Sequence, residues 1–511
     1  MDTPPQALQR DEHGNARHLA LVFLSLFAAS IVIRLPFFFP IVIDWDESTY
    51  ILWGQSVLDG HLPYTEMWGF KPPLAFAFYA CAIGAFGKSI VSVRIAGTLC
   101  VALAAFFTYL AGRRLWNESS GVAAATLCIV IATFVKSGKA VMTEHAAMVP
   151  LAAALCLLVL RVLTPRTAFL AGILMAVATF TRLNLAYTAV FIGLLIVAAT
   201  FTGPSGSLRS SLRCGSAYAA GGILVLLLVF LPYAATGQQG LWWSSVILAP
   251  LSYANSQLSF AGALVQQMNT TGSGLLVVLG GLAGFAAMAA RWKTFPETTR
   301  RGAVFLLGFF FSTELSILRS GASYPHYLIQ LAPFTALAVA ALPNAVSSGS
   351  ARRALSATGV CLALILSLLI VLPAYKGVVC RVLAGQPASH GAAYGIAAYL
   401  EREKAPGDPV YLLTDHIVYW LIDEKPLSKS TIHPANITRE YLLAVLVGPG
   451  TTTEQELSRI LAKKPGFIVT GKKDYLRRKP AAWSLLQETL RTRYTLVKQV
   501  EGRLIYRRDA A

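Results

Sequence analysis

Residues 18–50 read HLALVFLSLFAASIVIRLPFFFPIVIDWDESTY. Positions 18 to 40 are apolar over a length that crosses about 30 Å of hydrocarbon, which takes roughly 17 to 25 helical residues. The chain then turns acidic, with Asp44, Asp46 and Glu47 around Trp45. A spanning helix that ends on a dense group of carboxylates sets two expectations: a protein built from membrane helices, and chemistry at the surface where the first one emerges. The polar residues ahead of it (Arg10, Asp11, Glu12, Arg17) lead to no small-residue cleavage site, so the run reads as a retained anchor rather than a signal peptide.

Further apolar runs lie near 93–112, 119–136, 145–163, 216–236, 273–290, 302–318, 327–343 and 354–373. The stretch 167–202 is broken at Thr181-Arg182-Leu183-Asn184 and reads as two shorter spans, for about eleven transmembrane helices in all. Over 511 residues, 55% are hydrophobic and 13% charged, about half the charge of an average soluble protein. A soluble globule is excluded. The net charge of +18 comes from basic residues that sit between the apolar runs, so it does not read as a nucleic-acid surface. Seven cysteines (Cys81, Cys100, Cys128, Cys156, Cys214, Cys361, Cys380) have neither CxxC nor metal-ligand spacing.

The segment Pro72 to Gly87 is short for a span, and loop charge decides it. If it does not cross, Arg113/Arg114, Arg161/Arg166, Arg209/Arg213, Arg291/Lys293/Arg300/Arg301 and Arg352/Arg353 all share one face, which the positive-inside rule makes cytoplasmic. Residues 41–92 and 237–272 then form outer loops. The first of these carries Asp44, Asp46, Glu47, Asp59 and Glu66, and Glu144 reaches the same face. In the second, Trp242, Trp243 and Tyr253 read as an aromatic interface belt. The sequons at Asn117, Asn269 and Asn436 decide nothing, and Arg477-Arg478-Lys479 reads as a solvated face.

After about residue 375, Gly, Pro and charge return. Residues 376–511 suffice for one small domain on the outer side. Helical patterns at 388–403 and 453–464 alternate with strand-like Val410–Thr414 and Phe467–Thr470, and Glu501-Gly502 marks a hairpin between 495–500 and 503–507. The fold class is an all-α polytopic core over 1–375 with a C-terminal extracytoplasmic α/β domain.

The first outer loop carries an ordered series: Asp46-Glu47, Tyr50, Gly60, Pro63-Tyr64 and Lys71-Pro72-Pro73-Leu74. In order and spacing it resembles the GT-C superfamily of membrane glycosyltransferases, in particular the branch of protein O-mannosyltransferases and lipid A aminoarabinose transferases. The similarity continues through Arg94, through Thr143-Glu144 in the second outer loop, and through Tyr324-Pro325-His326-Tyr327 before a late helix.

The resemblance implies an inverting transferase that moves a monosaccharide from a polyprenyl-phosphate donor to a glycan, lipid or protein acceptor on the outer face. It also implies a bacterial inner-membrane location facing the periplasm. Asp46 is the expected general base, with Glu47 and Glu144 orienting the acceptor or holding a divalent cation such as Mg or Mn; some relatives use a metal and others do not. Glu144 stands where many relatives have Asp. Tyr50, Tyr64, Lys71, Arg182, Arg319 and His326 are the expected substrate-binding residues, Lys71 by its match to the family lysine that holds the carrier phosphate. From the residues alone, Arg182 serves a phosphate or pairs with Glu144, and Arg319 serves a phosphate or pairs with Glu314. The alternative function is a secondary transporter or flippase of lipid-linked sugars, which would carry inverted repeats and charges at the membrane midplane.

Overall fold

Hydrocarbon leaves backbone N–H and C=O groups no partner outside their own segment, so the apolar runs must be helices. A computed structural model describes residues 5–203, 206–255, 258–269, 273–321, 324–345, 349–430, 433–471 and 474–510. It begins α1 (Pro5–Arg34), α2 (Trp45–Leu58), α3 (Pro73–Phe86), α4 (Ile90–Leu115), α5 (Glu118–Phe134), α6 (Thr143–Leu160), α7 (Pro165–Thr181), α8 (Ala186–Phe201) and α9 (Leu208–Ala235). There follow three short helices, α10 (Gln239–Trp243), α11 (Ala249–Asn255) and α12 (Phe260–Met268), then α13 (Ser273–Ala290), α14 (Glu297–Arg319), α15 (Ala332–Val339) and α16 (Gly349–Leu383).

Among the described residues, 7 helical segments are long and apolar enough to cross a membrane: Asn15–Phe38, Ile90–Leu115, Thr143–Leu160, Leu183–Phe201, Leu208–Ala235, Glu297–Arg319 and Gly349–Leu383. Shorter apolar helices at Pro73–Phe86, Glu118–Phe134, Pro165–Thr181 and Gly274–Ala290 accompany them. The chain is an integral membrane protein. Side-chain caps start several helices where the sequence supplies Ser, Thr or Asn: Ser89 accepts from Ser92 N, Asn117 from Ser120 N and Thr164 from Thr167 N. Small residues bring helices together, and α7 and α9 approach so closely that a Cβ on Gly172 would lie 2.1 Å from the Tyr218 carbonyl.

Two segments differ from the sequence reading. The span expected at 327–343 is a 3₁₀ segment, Pro325–Leu331, followed by the 8-residue α15. Pro333 has no N–H to donate backwards, so an α-helix can begin there but cannot run through it. The last apolar helix also continues to Leu383, past the boundary at 375. Parts of the loop 237–272, including the second half of the Asn269 sequon, lie outside the described residues.

Beyond α16 lie α17 (Ala392–Glu403), β1 (Val410–Leu412), α18 (Ile417–Leu421), α19 (Glu440–Leu446), α20 (Thr453–Ala462), β2 (Phe467–Thr470), α21 (Pro480–Arg493), β3 (Tyr494–Val500) and β4 (Arg503–Arg508). The sheet order is β1-β2-β4-β3. β1 and β2 are parallel, with Tyr411 opposite Ile468, and the other pairs are antiparallel. Glu501 and Gly502 both adopt positive φ, 45° and 79°, as a two-residue hairpin turn demands. This unit sits on the end of the bundle that carries α2 and α3. Lys88, just after α3, pairs with Asp423, and Ile41 N donates to His390 O at 2.9 Å. Both ends of α3 therefore lie on one side of the bundle, since Lys71, just before it, also faces this unit's residues.

Candidate active site

Asp46 and Glu47 open α2, where a helix N-terminus favours carboxylates. Asp44 caps the helix by accepting from Asp46 N at 3.0 Å, and its other oxygen accepts from Ser137 Oγ at 2.6 Å. Successive helical side chains point about 100° apart, so the two neighbours enter different surroundings. Glu47 is 1% exposed and faces inward. Its Oε1 accepts from Arg94 Nε at 2.6 Å and from Val141 N at 2.6 Å, so the pair joins α2 to α4 and to the turn before α6. The structure thus does not bring Glu47 to the cavity.

Asp46 lines a cavity of about 670 Å³. Its Oδ2 accepts from the Tyr50 hydroxyl at 3.2 Å, and its Oδ1 lies 3.2 Å from His433 Nε2. Nδ1 of His433 accepts from Ala435 N at 3.1 Å, which leaves the ring proton on Nε2, directed at Asp46. Burial alone would raise the Asp46 pKa. The His433 hydrogen bond, with the electrostatic pull of His433, Lys71 and His326, outweighs it and holds the carboxyl below its ordinary range. It is therefore an ionised carboxylate, oriented by Tyr50 and His433.

Lys71 lies across the same cavity, in the loop before α3. Tyr64 fixes that loop: fully buried, at φ 74°, it donates its hydroxyl to Lys71 O at 2.6 Å. Tyr64 thus positions Lys71 and is absent from the cavity lining. Burial, then the charge of Arg182, lowers the Lys71 pKa to about 8 against the pull of Glu144 and Asp46. Lys71 also borders an apolar groove of about 320 Å³, formed by Leu183, Ala186, Ile247, Pro250 and Leu251, with Arg182 and Arg319 on its rim. Phe70, Lys71, Tyr253 and Tyr327 line both spaces, so the groove and the polar cavity meet at the lysine.

Glu144 is fully buried and forms an ion pair with Arg182 at 2.5 Å; His326 Nε2 lies 3.8 Å from the same oxygen. The Arg182 guanidinium stacks 4.4 Å over Tyr327. Of the two partners expected for Arg182, Glu144 has the charge, while the residue still faces the groove. Arg319 is on the groove wall and makes no ion pair with Glu314 among the described residues. His326 lines the polar cavity, its ring stacked on Tyr324. Among the described residues no three His, Cys, Asp or Glu side chains converge to hold a metal ion. Asp46 and Glu144 are each met by cationic or hydrogen-bonding side chains, so the described residues around them form no ready-made divalent-cation site.

Sequence reading missed the contribution of the C-terminal unit. His433, Asn436, Arg439 and Tyr475 line the cavity opposite α2, with Arg439 5.6 Å over Tyr253 and Tyr475 5.8 Å from Trp45. Tyr253, read as interface belt, is a wall of the site.

Residues 70–235 match the family model described as dolichyl-phosphate-mannose-protein mannosyltransferase. Over nearly the whole chain the structure is similar to that of ArnT from Cupriavidus metallidurans bound to undecaprenyl phosphate, with a TM-score of 0.62, 13% identity and 98% of each chain covered. The fold is that of the GT-C membrane glycosyltransferases. The apo form of the same GT-C protein matches equally, with a TM-score of 0.62, 14% identity, and 96% of this chain and 98% of that one covered. No curated protein sequence matches this chain. The likeness to ArnT spans the α/β unit as well as the helices.

Proposed function

We propose that the protein transfers a monosaccharide from a polyprenyl-phosphate carrier to an acceptor hydroxyl, with inversion, at the outer face of a bacterial inner membrane. The observation that carries this reading is the meeting, at Lys71, of an apolar groove and a polar cavity that contains Asp46. A lipid-linked sugar has the same division: an isoprenoid tail for the groove, a phosphate for the cation at the junction, and a sugar for the polar side. ArnT, one of the structural matches, is seen bound to undecaprenyl phosphate, and the family model matching 70–235 is named for a dolichyl-phosphate-mannose enzyme.

In the reaction, Asp46 takes the proton of the acceptor hydroxyl as that oxygen forms its bond to the anomeric carbon. The bond from that carbon to the carrier phosphate breaks, and the departing polyprenyl phosphate keeps the electron pair. Lys71 offsets the charge that develops on it, with Arg319 nearby. One base and one displacement give inversion, and a neutralised phosphate leaves without the second carboxylic acid that a glycosidase uses. Tyr50 and His433 fix the carboxylate plane. Glu47 with Arg94, and Glu144 with Arg182, hold the helices that carry Asp46 and Lys71. Arginine pairs at the far ends of α4, α6 and α9 support the periplasmic orientation by the positive-inside rule. Purified protein offered a panel of labelled undecaprenyl-phosphate monosaccharides should consume at least one and release undecaprenyl phosphate. Consumption of none in the presence of a whole-envelope acceptor extract would refute the reading.

A further inference from the structure

Following α6, α7 and α14 away from Glu144, Arg182 and Arg319 leads to the opposite end of the bundle and to a second cavity, of about 580 Å³. The N-terminal turns of three helices border it. Thr164 and Pro165 belong to the start of α7, Ser210 to the first turn of α9 and Glu297 to that of α14. Each such end presents partial positive charge.

Arg213, Arg300 and Arg301 add full charges. Arg300 is tied to its own loop, Nε to Trp292 O at 3.2 Å. Arg301 donates one amino group to Arg161 O at 3.1 Å, and its Nε is buried without a hydrogen-bond partner. Among the described residues Arg213 makes no ion pair, and Glu297, the one acid of the lining, pairs with none of the three arginines. A buried cationic donor with no acceptor is unfavourable, so the chemistry of this lining suits an anion.

The other wall is apolar, formed by Leu195, Ala198 and Ala199 of α8 and by Val304 and Phe305 of α14. The surface beside it exposes Val162 (70%), Phe201 (57%), Leu208 (65%) and Leu212 (59%), as a face turned to hydrocarbon does. A small soluble anion would leave that wall unused.

We propose that this cavity binds the phosphate head group of an anionic membrane lipid, with an acyl chain along α8 and α14. It is a lipid site separate from the carrier groove, at the other end of the molecule. The test is native mass spectrometry, with thermal melting in parallel, of the full chain exchanged into detergent with phosphatidylglycerol, phosphatidylcholine or inorganic phosphate. Phosphatidylglycerol should be retained and raise Tm, and phosphatidylcholine should do neither. Arg213→Gln/Arg301→Gln should lose retention by roughly 10-fold or more, the scale of a charge-assisted contact. Arg213 is exposed, so Arg213→Gln alone folds and gives a partial loss if the double variant is unstable. Equal retention of the two lipids, or undiminished retention of phosphatidylglycerol by the folded variants, would overturn the proposal. So would stabilisation by inorganic phosphate with no lipid retained, which would assign the cavity to a soluble anion.

Discussion

Asp46 and Glu47 are sequence neighbours with opposite surroundings, one at a polar cavity and the other locked behind it by Arg94. Lys71 gives the site a pH dependence with a definite sign. Its folded pKa is lowered to about 8, so the cation is present below that pH and lost above it. Affinity for undecaprenyl phosphate, measured by titration calorimetry, should therefore fall as pH rises from 7 to 9, and Lys71→Arg should flatten the profile. In the proposed reaction His433, 3.2 Å from Asp46 Oδ1, acts through that carboxylate. His433→Leu should lower kcat by up to about 10²-fold, the scale of a misplaced reacting group, with carrier affinity unchanged. His433→Gln, which keeps a donor near Nε2, should recover most of the loss. Asp46, Tyr50, Lys71 and His326 were legible because they belong to an ordered pattern in the sequence. His433, Arg439 and Tyr475 were not. They lie hundreds of positions from Asp46, where no local spacing signals contact, and only the packing of the α/β unit brings them to it. The burial of Glu47 was hidden too, since a second carboxylate in a motif reads the same whether it faces substrate or Arg94.

At the scale of elements, α2 is set by the Glu47–Arg94 pair, whose side chains are 1% and 0% exposed. Removing one partner strands the other charge, and such losses cost about 3–5 kcal/mol. Glu47→Gln and Arg94→Met should each lower the thermal midpoint in detergent clearly, whereas Asp46→Asn, at a cavity wall, should leave it nearly unchanged. The helices themselves were legible because apolar runs bounded by basic loops leave few alternatives. The broken 325–339 region was not, because its hydropathy reads as a span while Pro325 and Pro333 divide it. The parallel pairing of β1 with β2 is likewise a matter of topology, although both strands and the hairpin turn were visible in the sequence.

For the molecule as a whole, the charged groups of the proposed site gather at one end of the helices and the arginine pairs at the other. Cysteines placed near Asp59 and Lys425, in a background without the native ones, should label from outside the intact cell, while one at Arg114 should label only after permeabilisation. Reversal of that pattern would invert the orientation. Residues of the α/β unit line the cavity, so the proposed transfer would join donor and acceptor between the bundle and its cap. The proposed reaction is sugar transfer there with Asp46 as base. Purified wild-type and Asp46→Asn proteins should be compared with a labelled undecaprenyl-phosphate monosaccharide, following both carrier binding and glycosylated product. The amide keeps the shape but cannot take the hydroxyl proton. Binding should be retained while transfer falls by about 10²- to 10⁴-fold; near-wild-type transfer by a folded Asp46→Asn protein would rule out Asp46 as the base.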